Sequence, residues 1–255
     1  MPSASDLAEP NVIVQKFKDG EIYIKENAPK AEEIVMRAWP EPNDSLVELM
    51  LLLSHYRGSV KRVVMPYLPY ARQDREKIKG EVVSFREFVR IISSFGVREL
   101  FGCNIHSSKE HKEVYVEGLL VASFDAIRPL LVKAEAKEVV GADEGMLHIT
   151  PKCITKERTG TGTDTQIVSR NFPAVESDTV WIVDDIIATG STMLEAAKHY
   201  SENGKEVIAI ASHALLLGNA EAELKRHVKK LYTTTSIIRE KNPWIEEMEV
   251  WKVLV

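Results

Sequence analysis

The segment Val180-Trp181-Ile182-Val183 constrains the fold more than any other, because it is apolar without alternation and runs straight into two carboxylates, Asp184 and Asp185. A strand with one wet face alternates. One that does not must be covered on both faces, which is the situation of strands in a parallel sheet flanked by helices. The rest of the chain keeps that order: residues 11–17, 21–25, 34–37, 62–65, 99–105, 139–141 and 179–183 read as strands, and helical spacing runs over 44–56, 84–95 and 193–200. Strands alternating with helices predict an α/β fold.

In open α/β sheets ligands bind beyond the carboxyl ends of strands, so polar residues that follow apolar runs are the places to examine. Four runs qualify, ending at Arg72-Gln73-Asp74, at Asn104-Ile105-His106, at Asp143-Glu144-Gly145 and at Asp184-Asp185. Residues 155–164, rich in Thr and Gly and bracketed by charges, have neither period and read as a mobile loop. No internal repeat is present, and a seam between two α/β halves is expected within 118–130.

The strongest chemical signal follows the acidic pair: Ile186-Ile187-Ala188-Thr189-Gly190-Ser191-Thr192, then a helix. Turn amides and the hydroxyls of Thr189, Ser191 and Thr192 can surround a phosphate at the positive end of the helix dipole, and Gly190 permits close approach. Two adjacent carboxylates repel a bare phosphate but accept hydrogen bonds from vicinal sugar hydroxyls, directly or through a metal ion. The pattern therefore asks for a ribose that carries a phosphate.

Composition removes several other functions. The net charge of -5, from 33 basic and 38 acidic residues, gives no basic field for nucleic acid. Two cysteines, Cys103 and Cys153, make no disulfide framework, and the histidines show no zinc spacing. No run approaches the ~18 apolar residues of a membrane helix, and the opening residues are polar. A soluble, cytoplasmic protein with no membrane partner is expected.

The string 180–192 resembles the phosphoribosyl-diphosphate binding loop of the phosphoribosyltransferase superfamily. Phe17-Lys18-Asp19-Gly20-Glu21, Pro42-Asn43-Asp44 and Pro66-Tyr67-Leu68-Pro69-Tyr70-Ala71-Arg72-Gln73-Asp74-Arg75 are similar to segments of the ribose-phosphate diphosphokinases within it. That resemblance implies two phosphoribosyltransferase-like parallel-sheet domains, 1–122 for ATP, with a trimmed N-terminal part, and 123–255 for ribose 5-phosphate. It implies transfer of the β,γ-diphosphoryl group of ATP to ribose 5-phosphate. It further implies that Arg72, Gln73 and Asp74 meet ATP, that His106 and Asp143 hold magnesium (Mg2+), and that Lys156 and Arg158 act from a flexible loop. Asp184, Asp185, Ala188, Thr189, Gly190, Ser191 and Thr192 would hold ribose 5-phosphate. Phe17, Asp19 and Glu21 would reach ATP across a subunit interface, which implies a homo-oligomer.

The chain departs from the family pattern at Asn104, where an Asp is usual, and at Glu144-Gly145-Met146, where Ala-Gly-Gly is usual. The second departure lies near the expected sugar site and leaves a related acceptor such as ADP-ribose open. A non-catalytic subunit would be expected to lose Lys156, Arg158, Asp184 or Asp185, and all four are present.

Overall fold

The computed structural model describes residues 12–26, 31–56, 58–76, 78–106, 113–159 and 166–250. They divide into two compact units, one over residues 12–124 and the other over Asp125–Val250.

The first unit opens with an antiparallel hairpin of β1 (Val12–Lys16) and β2 (Ile22–Glu26). It continues with β3 (Glu33–Val35), α1 (Pro42–Tyr56), β4 (Arg62–Val64), α2 (Ser84–Ser94), β5 (Glu99–Cys103), β6 (Glu113–Val116) and β7 (Leu119–Phe124). The sheet order is β3-β4-β5-β7-β6, parallel except for β6 on the edge. Leu49, Leu52 and Leu53 on α1 and Phe85, Phe88, Val89 and Ile92 on α2 are buried. Each such side chain contributes roughly 1.5–3 kcal/mol relative to leaving it in water.

Helix α1 begins at Pro42, two residues before the start expected from spacing, because the missing N–H of a proline costs nothing at the first helical position. Strand β5 stops at Cys103 rather than at residue 105, where Asn104 turns the chain with φ +34°. The hairpin β6–β7, which sequence reading did not resolve, closes through Glu117 and Gly118, both at positive φ, in the two-residue turn that matches strand twist.

The second unit contains α3 (Ile127–Lys133), β8 (Val139–Gly141), a 3-10 turn at Glu144–Met146, β9 (Thr155–Thr159), β10 (Gln166–Asn171), β11 (Thr179–Ile187), α4 (Ser191–Glu202), β12 (Glu206–Ala214), α5 (Ala220–Leu224), β13 (Lys230–Thr234) and β14 (Ile245–Met248). Its sheet, β14-β13-β12-β11-β8, is parallel throughout. The run 180–183 alternates between two cores. Val180 and Ile182 join Met193, Ala196, Ala197 and Tyr200 of α4, whereas Trp181 and Val183 join Ile127 and Leu130 of α3. An apolar run without alternation is thus covered on both faces, as the sequence requires.

Two local expectations are corrected. Strand β11 extends past residue 183 to Ile187, so Asp184 and Asp185 lie inside it, because pairing with β12 continues through Asp184 beside Ala211 to Ile187 beside Ala214. The stretch read as an irregular loop contains β9, which pairs antiparallel with β10. That ladder comes from pairing with the following strand, which a local period does not register. Residues 160–164 of that stretch lie outside the described residues.

Candidate functional site

In the second unit, Asp184 and Asp185 are 8% and 3% exposed. Asp184 Oδ1 accepts from the backbone N–H of Asp185 and Asp185 Oδ1 from that of Ile186, both at 2.9 Å. Such bonds hold each carboxylate in one orientation. Beyond β11 the chain is fastened by Leu215 N–H and Leu216 N–H to Ile187 C=O and by Leu217 N–H to Ala188 C=O, at 2.8, 3.2 and 2.9 Å.

Gly190 then adopts φ +76° as the N-cap of α4. A Cβ there would lie 3.3 Å from Ala220 Cβ and 3.4 Å from Leu224 Cδ1, so α5 also packs against the turn. A glycine cap brings no side-chain oxygen to the first amides of the helix, which leaves those donors for an anion. Ala188 is buried, Thr189 and Ser191 are exposed, and Thr192 is half-buried.

Asp143 follows β8, the neighbour of β11, and Ala142 N–H reaches Val183 C=O at 2.9 Å. Gly141 at the end of β8 pairs with Val183, so Asp143 just past β8 and the acidic pair inside β11 both lie one or two residues beyond that pairing. Asp143 Oδ1 accepts from Gly145 N–H at 2.8 Å, so it caps the short turn as well as standing at the sheet edge. Met146 points into the α3-side core with no exposure, whereas Glu144 is exposed. Part of the departure from the family pattern in this loop is thus spent on interior packing.

The hairpin that carries Lys156 and Arg158 in its first strand is anchored at its base. Cys153 bridges Gly141, and Gly141 exchanges backbone hydrogen bonds with Lys152 and Ile154 at 2.8 and 3.0 Å. The Lys156 and Arg158 backbones pair with Arg170 and Ile167. Their side chains lie outside the described residues.

In the first unit, Arg72, Gln73 and Asp74 follow β4 and His106 follows β5. These strands are neighbours, and Cys103 N–H donates to Pro66 C=O at 2.9 Å. Gln73 is fixed three ways: its N–H reaches Tyr70 C=O at 3.0 Å, its C=O accepts from Phe85 N–H at 3.2 Å, and its side-chain Oε1 accepts from Ser84 Oγ at 2.6 Å. The last bond uses the amide carbonyl and leaves the NH2 group as the donor end of the side chain. Arg72 is exposed and has no ion-pair partner among the described residues, since Asp74 pairs with Arg75 at 3.9 Å instead. His106 is half-buried.

Phe17, Asp19 and Glu21 occupy the turn of the first hairpin. Phe17 N–H donates to Glu21 C=O at 2.8 Å and Glu21 N–H to Asp19 Oδ1 at 3.1 Å. Phe17 is 56% exposed, touching Tyr23 edge-on at 5.8 Å, so it is no core residue.

Comparison with known proteins gives the arrangement its relatives. The N-terminal domain of ribose phosphate pyrophosphokinase matches residues 5–96, and the phosphoribosyl transferase domain matches residues 144–251. The ribose-phosphate pyrophosphokinase of Pyrococcus abyssi is 31% identical over 244 residues, covering 89% of this chain and 84% of that protein. This chain belongs to the ribose-phosphate pyrophosphokinase family.

The ribose-phosphate pyrophosphokinase of Saccharolobus solfataricus agrees, at 32% identity over 240 residues, 87% of this chain and 82% of that one. A crystal structure of phosphoribosylpyrophosphate synthetase from Mycobacterium smegmatis shares the fold, with a TM-score of 0.80 at 19% identity over 99% of this chain and 94% of that one. Within the ribose-phosphate pyrophosphokinase frame, Ser212-His213 is part of the resemblance, but sequence reasoning missed Thr234 and Ser236, which form a buried hydroxyl network with them beside the acidic strand. His213 Nδ1 lies 2.8 Å from Ser236 Oγ, and Thr234 Oγ1 donates to Ser212 C=O and bonds Ser236 Oγ, both at 2.8 Å. The signal was available as Thr233-Thr234-Thr235-Ser236, a run of hydroxyls directly after Leu231-Tyr232.

Proposed function

We propose that this chain transfers the β,γ-diphosphoryl group of ATP to the anomeric hydroxyl of ribose 5-phosphate, giving phosphoribosyl diphosphate and AMP. The observation that carries the reading is the buried acidic pair followed by an uncapped glycine turn at the start of α4. Asp184 and Asp185 accept from the 2- and 3-hydroxyls of the sugar. The turn amides at Ala188 to Thr192, with the hydroxyls of Thr189, Ser191 and Thr192, hold its 5-phosphate. The anomeric oxygen attacks the β-phosphorus, the bond from that phosphorus to the α–β bridging oxygen breaks, and AMP leaves with the bridging oxygen. The hydroxyl proton passes to solvent. Such transfer is governed by positioning and by charge stabilisation, with little covalent work for the protein.

Exposed Arg72 and the amide of Gln73 suit a triphosphate and its base, with Asp74 closing the same segment. Lys156 and Arg158 are assigned to charge on the transferring group. The nucleotide is assigned to the first unit, near the expected domain 1–122, and the sugar phosphate to the second, near 123–255. Exposed Phe17, with Asp19 and Glu21, is assigned to the nucleotide of a second copy in a homo-oligomer.

Among the described residues no group of three or more His, Cys, Asp or Glu gathers as an all-protein metal centre would. Magnesium carried on a triphosphate keeps water and phosphate oxygens and takes only one or two protein ligands, a use assigned to His106 in the first unit and to the Asp143 carboxylate in the second, each taken by itself. When bound it neutralises phosphate charge. Among the described residues no helix is long and apolar enough to cross a membrane; the cytoplasm is assigned as its place by the resemblance.

Mass spectrometry of the products formed from ATP, Mg2+ and either ribose 5-phosphate or ADP-ribose tests the acceptor. Phosphoribosyl diphosphate and AMP are expected with ribose 5-phosphate. AMP formed only with ADP-ribose would move the acceptor assignment, and no AMP with either would overturn the activity.

A further inference from the structure

Tyr70 stands two residues before Arg72 and has φ +64°. A residue with a Cβ in the left-handed region is uncommon, and a glycine would make the same turn without steric cost. Three contacts hold Tyr70 there. Its ring lies against Phe88 of α2 with centroids 5.5 Å apart, its C=O accepts from Gln73 N–H at 3.0 Å, and its hydroxyl donates to Asn43 Oδ1 at 2.7 Å. The far end of the turn is fixed separately by Ser84 and Phe85 on α2. Ala71 between them is 2% exposed, so the turn is pinned by its interior and presents Arg72 outward.

Asn43 lies in the first turn of α1, and the same turn engages the hairpin. Lys16, the residue before Phe17, pairs with Glu41 at 2.8 Å and with Asp44. One short stretch, 41–44, therefore ties down both segments of the first unit that are assigned to nucleotide. Burial raises the Tyr70 phenol above its ordinary value, which keeps the hydroxyl a donor across the physiological range.

We propose that Tyr70 is a positioning residue for the nucleotide: through its hydroxyl bond to Asn43 it is held in the left-handed conformation that starts turn 70–73 and presents Arg72 and Gln73. The inference rests on the assignment of those two residues to ATP. Strain retained at a tyrosine is explained if the side chain secures a binding geometry that a flexible glycine turn would not.

The test measures affinity for ATP with Mg2+ by titration calorimetry, alongside kcat and KM for both substrates, in Tyr70→Phe, Asn43→Ala, the double variant and Asn43→Asp. Tyr70→Phe keeps the ring on Phe88, and Asn43→Asp keeps an acceptor. Each of the first two is expected to weaken ATP binding about fivefold, the span of one hydrogen bond. The double variant should be no weaker than either single one, because they remove the same bond. Asn43→Asp should stay within about twofold of the unaltered protein, and kcat and ribose 5-phosphate affinity should change by less than about twofold, the margin left for one lost bond. Unchanged ATP affinity in Tyr70→Phe, multiplying effects in the double variant, or parallel loss of ribose 5-phosphate binding would each overturn the inference. An unaltered protein that binds ATP yet forms no AMP would sink the proposed activity and leave the affinity comparison to decide this point. Absence of ATP binding would end both.

Discussion

The segment bearing Asp184 and Asp185 is made by one strand, one turn and one helix in succession, whereas the turn bearing Arg72 and Gln73 is assembled from α1, α2 and its own backbone. In the first, the acids are oriented by the amides that immediately follow them, and Gly190 sets the turn with its own φ. In the second, the hydroxyl partner of Tyr70 is 27 residues away and that of Gln73 is 11. A site whose acids and turn are oriented mainly by adjacent residues is less sensitive to distant changes, although Leu215 to Leu217 and α5 also brace it. A site built from long-range contacts can be loosened by substituting residues that never touch a ligand.

The largest effect sharpens this contrast from outside both segments. Lys156→Ala is expected to lower kcat about 1000-fold while leaving ATP affinity nearly unchanged, as for a contact made in the transition state. Single-turnover rates and equilibrium binding check it, and parallel loss of binding would remove Lys156 from that role. Next, Asp185→Asn should lower kcat/KM for ribose 5-phosphate about 100-fold, within the range for hydrogen bonds to a buried charge, with ATP affinity intact. Loss of ATP binding in that variant would break the division between the two regions.

Gly190→Ala should destabilise the protein by about 1–2 kcal/mol, because alanine at φ +76° is strained and its Cβ meets Ala220. Chemical denaturation measures it, and an unchanged midpoint would contradict the local account of the turn. The smallest effect lies on α1. Glu48 is 7% exposed, and its carboxyl is pushed up to about 7, first by burial and then by Asp44, with Lys16 opposing. The folded state therefore binds more protons than the unfolded chain between about pH 4.5 and 7, so this stabilisation is full below that window and lost as pH rises through it. Glu48→Gln should gain about 1 kcal/mol at about pH 8, after discounting for residual solvent access, and flatten the pH profile of thermal stability. An unaltered slope would show that Glu48 titrates normally.

The same contrast explains what could be read before the fold was known. The 180–192 segment was legible because its geometry is written in consecutive residues: an apolar run, two acids, a glycine and hydroxyls. The strands and the parallel order were legible for a similar reason, since burial on both faces removes polar alternation. The extension of β11 through the acids was not, because it depends on register with β12. Nor was β9, whose partner β10 starts only at Gln166. Arg72 and Gln73 could be named from resemblance, but the roles of Tyr70, Asn43 and Ser84 appear only when α1 and α2 are brought beside the turn. The hydroxyls at Thr234 and Ser236 were visible as a run and gained meaning only as neighbours of Ser212 and His213.

Phosphorus NMR of the unaltered protein with ATP, Mg2+ and ribose 5-phosphate tests the central claim most directly, because it distinguishes diphosphoryl from phosphoryl transfer. The account predicts AMP resonances rising together with a diphosphate attached to the sugar, with no ADP accumulating. ADP with a singly phosphorylated anomeric position, or unchanged spectra, would contradict it.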